Sequence, residues 1–170
     1  MQTCNVQLYS YNYNEAKTYL AALLFVVGNV VLPQLFHQFH MGGPTWLPIY
    51  FFTLIGAFKY GKNVGVLTAL LSPIINSMLF GMPNTAMLPI ILIKSTLLAI
   101  AASYAANKYK KINLLILAGV ILFYQTFGAL AEWALTQNLQ IALQNIYIAV
   151  PGMLLQLLGG YIFIQYIIRK

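Results

Sequence analysis

Apolar residues in this chain come in long runs, without the three-to-four-residue period of a half-buried helix or the alternation of a half-buried strand. A helix that is apolar all round belongs in lipid or deep inside a large protein, and about 20 such residues match the ~30 Å hydrocarbon layer of a bilayer. Six runs meet or approach that length: about Lys17–Phe36, Trp46–Phe58, Asn63–Phe80, Ala86–Ala106, Ile112–Leu135 and Ile146–Ile168. Gly, Pro and Asn punctuate their ends, as they do helix boundaries. The second run is short. It spans only if its flanks, Gly43-Pro44 and Lys59-Tyr60, lie near the two interfaces, or if it enters as a tilted, partly re-entrant piece. The pattern predicts an all-α integral membrane protein with a single transmembrane domain over 1–170, a polar segment over 1–16 and a six-helix bundle over 17–168.

Composition agrees: 61% of residues are hydrophobic and 6% charged, and mean hydropathy is +0.77. A water-soluble domain with so little charge would aggregate. The formal net charge of +7 raises the possibility of nucleic acid, but such a partner is bound by cations gathered on one solvated face, and here they stand between apolar runs. Membrane orientation explains them instead. Lys17, Lys59, Lys62, Lys108, Lys110, Lys111, Arg169 and Lys170, eight of the nine cations, fall in alternate connections; the connections at about 37–45, 81–85 and 136–145 hold none. The positive-inside rule then puts both termini in the cytoplasm and the three uncharged connections outside. The N-terminal residues lack the basic start and small-residue cleavage site of a signal peptide, so the mature chain is expected to begin at Met1. Cys4 is the only cysteine, which excludes an internal disulfide or a cysteine metal cluster.

Polar side chains inside the spans are costly and need a partner or a task. Lys94, Gln125 and Gln156, from three consecutive runs, fall at similar depths, roughly 12–15 Å from the outer ends at ~1.5 Å per residue. Gln125, Gly128 and Glu132 share a helix face, with Trp133 beside its outer end, and Asn29 and Asn76 also lie toward the outer side. Together they suggest an outward-opening polar cavity. Interhelical hydrogen bonding is the competing use for each amide. Lys94 has one acid within the spans to pair with, Glu132, but the two differ in depth by about two helical turns.

The outer connections contribute further candidates. His37 and His40 at i, i+3 invite a metal reading, but no third His and no acid beside them completes a ligand set, so they are read as ordinary interfacial histidines or as loop donors to a ligand. Asn84 lies in the GMPNT connection; Trp46 and Trp133 sit where an aromatic belt or a stacking platform would place them. Met41, Met82 and Met87 suit an adaptable apolar cover. No nucleophile elbow, phosphate loop, paired carboxylates or zinc-protease motif is present, so no enzymatic activity, metal or cofactor is expected.

Gly42-Gly43-Pro44 followed by Pro48-Ile49-Tyr50, then Tyr60-Gly61 with Gly65, Ser72-Pro73, Gly81-Met82-Pro83 and Met87-Leu88-Pro89, resembles the substrate-binding S components of energy-coupling factor transporters. The resemblance covers about Leu35–Ala106. It implies a six-helix subunit of a prokaryotic cytoplasmic membrane that captures a vitamin or vitamin-like heterocycle from outside under the loops after its first, third and fifth helices. It also implies two kinds of partner, a membrane coupling subunit and a cytoplasmic ATPase pair. The family's coupling subunit docks on an A-x-x-x-A in the first helix; here Thr18 and Ala22 form a looser small-residue pair, with Ala21 and Gly28 further along. The family often carries an acid where this chain has Lys94, so a cation there points to an anionic or carboxylate-bearing ligand. Two alternatives come from other classes: a membrane scaffold of the MreD type, for which the polar residues would only join helices, and a stand-alone ion-coupled carrier using Lys94 and Glu132.

Overall fold

In hydrocarbon no water competes for backbone hydrogen bonds, so an apolar run closes them within itself as a helix. The computed structural model describes residues 4–5, 9, 11–36 and 42–168. Its elements are β1 (Cys4–Asn5), α1 (Ala16–Phe36), α2 (Gly42–Trp46), a 3₁₀ turn (Pro48–Tyr50), α3 (Phe51–Tyr60), α4 (Lys62–Phe80), α5 (Leu88–Tyr109), β2 (Lys111–Ile112), α6 (Leu114–Thr136), α7 (Leu139–Ile148) and α8 (Val150–Ile168). Four helices, α1, α4, α5 and α6, are long and apolar enough to cross a membrane, and α7 with α8, bent by 45°, reads as one further, broken span.

Two expectations are corrected here. The run Trp46–Phe58 is not one helix. Pro48 breaks it, because proline has no N–H to continue a helix and disfavours helical geometry in the residue before it; Leu47 adopts a left-handed conformation, φ 49°. What remains is α3, whose ten residues cover about 15 Å, half of a bilayer core. The stretch at 136–145, expected as a loop, is largely α7. Asn138 caps it by accepting hydrogen bonds from Gln140 N at 3.0 Å and Ile141 N at 3.2 Å.

The interior sets small and polar residues among a core of large apolar ones such as Leu54, Phe58, Leu98 and Tyr124, and the outside is large and apolar. Thr53, Thr68, Ser72, Asn76, Ser95 and Ser103 are buried beside Ala57, Ala69, Ala99 and Ala102, whereas Leu20 is 71% exposed and Leu115 70%. Water would not tolerate that surface and lipid would. Helices in lipid gain little from burying leucine and associate through close backbone approach, which small residues permit. At the α3–α4 crossing an added Cβ on Gly65 would collide with Ala57. Gly61, at φ 91°, makes the reversal between these helices.

The two basic connections meet at the end of the bundle where α4 begins. β1 pairs antiparallel with β2, Cys4 opposite Ile112. Tyr9 N donates to Lys59 O at 3.0 Å, and Asn63 Nδ2 donates to Tyr11 O at 2.8 Å. The rings of Tyr9, Tyr11 and Tyr60 stack with centroids 5.8 Å apart. The polar N-terminal segment is thereby tied to both connections.

Candidate functional site

A cavity of about 390 Å³ lies at the opposite end, where α4 finishes and α5 begins. Its walls are mostly apolar, including Pro33, Leu47, Ile49, Ile90 and Ile91. Met82, Pro83, Asn84 and Met87 from the α4–α5 connection border it on one side, and Asn145 and Ala149 from the α7–α8 bend on another. The α4–α5 connection turns away at Gly81, φ 65°, and Asn84 Oδ1 accepts from Met87 N at 2.9 Å, which shapes its return into α5. Pockets that bind small molecules commonly measure ~300–1,000 Å³ and combine apolar walls with a few fixed polar groups. Here those groups are Asn76, Lys94, Gln125, Glu132, Asn145 and the ring of Tyr50.

Lys94 and Glu132 form a direct ion pair, Nζ to Oε2 at 2.6 Å. The depth difference expected from the sequence is bridged by the lysine itself. Its stem runs across Gly128, where an added Cβ would collide with Lys94 Cγ, and its ammonium reaches Glu132 one turn further along α6. The other carboxylate oxygen of Glu132 accepts from Asn145 Nδ2 of α7, so one acid joins three helices. Glu132 is 1% exposed and Lys94 12%. The two charges compensate each other in place.

On the facing wall, the position of Asn76 is fixed by a proline in another helix. Pro33 of α1 has no N–H for the carbonyl of Asn29 four residues before it. Asn76 Nδ2 donates to that carbonyl at 2.9 Å. Asn29 itself is fully buried: its Nδ2 donates to Thr53 Oγ1 at 2.9 Å and Ser72 Oγ at 3.2 Å, and its Oδ1 accepts from Phe52 N at 3.1 Å. Behind Gln125, Tyr124 OH donates to Gln156 Oε1 at 2.9 Å and accepts from Gln125 Nε2 at 3.3 Å. The Tyr50 and Tyr124 rings are 5.6 Å apart.

No family model, no curated protein and no solved structure matches the chain. What the cavity does must therefore be read from its chemistry. Of the residues expected at a ligand site, Asn76, Asn84, Lys94, Gln125 and Glu132 line the cavity. Gln156 does not; it is fully buried one layer back. Trp133 follows Glu132 by about 100° of helical turn, is 45% exposed, and borders a separate apolar groove between α6 and α7. Trp46 contributes packing, its backbone lying against Gly152 of α8. His37, His40 and Met41 lie outside the described residues. Along α1, Thr18 and Ala22 are buried in the bundle, with Thr18 Oγ1 donating to Asn12 O, and Gly28 packs on Phe52. Tyr19, Leu20, Leu23, Leu24 and Val27 form the exposed side of that helix, and Ala21, half-buried, packs against the core. Tyr50, Tyr124, Asn145 and Pro33 were missed from the sequence; the one usable sign was Asn29 standing four residues before Pro33.

Proposed function

We propose that this chain is the membrane-embedded binding subunit of an energy-coupling-factor-type importer, taking a vitamin or vitamin-like heterocycle from outside the cell. The observation that carries this reading is the cavity. It is small, apolar-walled and provided with fixed polar groups, and it lies at the end of the bundle remote from the basic connections. The positive-inside rule assigns those connections to the cytoplasm, so the cavity faces outward. On this reading the chain crosses the membrane six times, the broken α2–α3 segment and α8 each counting as one passage. The chain itself performs no chemistry. A coupling subunit and a cytoplasmic ATPase pair reorient the loaded bundle, and the coupling subunit meets the exposed apolar side of α1 and not the buried Thr18 and Ala22.

Isolation of the tagged chain from native membranes in mild detergent tests the assembly. The expected result is a membrane protein without nucleotide-binding motifs and an ATPase pair in stoichiometric amounts. Recovery of cell-wall synthesis proteins in their place would support a scaffold. For a scaffold, the cavity would have no task.

A further inference from the structure

Among the described residues, Lys94 and Glu132 are the only charged side chains lining the cavity, and they neutralise each other. Both oxygens of Glu132 are engaged, one by Lys94 and the other by Asn145. An anionic ligand would have to draw Lys94 away and leave a buried carboxylate uncompensated, and a cationic one would have to displace Lys94 itself. Neither exchange improves on the pair already present. The site is built to remain neutral.

Asn76 adds a directional requirement. Its amide orientation is fixed by chemistry, since the group facing the Asn29 carbonyl must be the Nδ2 donor. Oδ1 then remains as an acceptor, and among the described residues it is buried without a hydrogen-bond partner in a residue that lines the cavity and is 1% exposed. A buried unpaired acceptor is destabilising until a donor reaches it. Pro33, Ile49, Ile90 and Ile91, which line the same cavity, carry no side-chain donor.

We propose that the cavity selects an uncharged ring compound carrying an N–H donor, such as a carboxamide or lactam, and that this donor is received by Asn76 while the Lys94–Glu132 pair stays closed. The proposal rests on the binding-subunit reading and narrows its ligand class. It replaces the anionic ligand that an isolated Lys94 suggests.

The test uses the purified full chain and three probes of nearly one shape: benzamide, neutral with N–H donors; acetophenone, neutral without one; and benzoate, an anion. Dissociation constants are obtained by ligand-observed NMR titration. Benzamide should bind about tenfold more tightly than either of the others, and Asn76→Ala should bring benzamide to the level of acetophenone. Because that substitution also frees the Asn29 carbonyl and could unfold the chain, the comparison of benzamide with acetophenone in the unaltered protein is the second, independent measurement. Benzoate binding most tightly, or acetophenone matching benzamide, would overturn the proposal and leave the cavity a binding site. Failure of all three to bind up to their solubility limits would overturn the binding-site reading and the proposal with it.

Discussion

Glu132→Gln and Lys94→Met should each destabilise the bundle by about 3–5 kcal/mol, and the double substitution should cost much less than their sum. Each single change leaves one charge in a place made for two. With Lys94→Met, the Glu132 carboxylate keeps, among the described residues, only Asn145 as a partner while remaining almost wholly buried. With Glu132→Gln, the ammonium keeps its stem pinned across Gly128 but loses the acceptor at its end. Removing both charges leaves two side chains of suitable volume with no ion to compensate. A double-mutant cycle from reversible denaturant unfolding in detergent micelles measures the coupling. A coupling energy near zero would show that the pair contributes little and that the three helices are held together by packing alone.

The second large effect is expected away from any charge. Asn29→Leu should cost about 3 kcal/mol, because one side chain serves Phe52 N, Thr53 and Ser72 at once. Leucine is close in volume, yet it leaves the half-buried Phe52 N–H without its Asn29 acceptor, and an unsatisfied buried group costs about 1–3 kcal/mol. It also removes the hinge between α1 and the start of α3. Asn29→Ser, which retains one acceptor, should recover part of the loss. Melting temperatures of the purified variants measure both, and equal stability of Asn29→Leu and the unaltered chain would contradict the network's structural role.

The sequence reached the membrane class because lipid imposes a simple demand, and the lengths of α1, α4, α5 and α6 meet it. It also brought Lys94, Gln125, Glu132 and Asn76 together, since helical spacing and depth are regular enough to count. It failed where backbone irregularity decides. Pro48 cuts the second run short, and the left-handed conformation of Leu47 before it has no signature in hydropathy. The helix Leu139–Ile148 was hidden by its own polarity, for Gln140, Gln144 and Asn145 read as loop residues until Asn138 is seen to cap them. The Lys94–Glu132 contact depended on a third position. Only Gly128 leaves room for the lysine stem to lie along α6 and close a gap that rise per residue alone leaves open. Trp133 shows the opposite failure: nearness to Glu132 in sequence suggested a shared site, and helical turn put it on another face.

The central claim is that the cavity between α1, α4, α5 and α6 captures a small molecule. The most direct measurement is the melting temperature of the purified chain against a panel of B vitamins, their precursors and nucleobases. A compound that binds only the folded state at about 100 times its dissociation constant stabilises by about 2.7 kcal/mol, which appears as a rise of several degrees. The account predicts such a rise for one compound or a close chemical group, much reduced in Gln125→Ala, whose side chain lines the cavity. A panel without any shift, or a shift that Gln125→Ala leaves untouched, would contradict it.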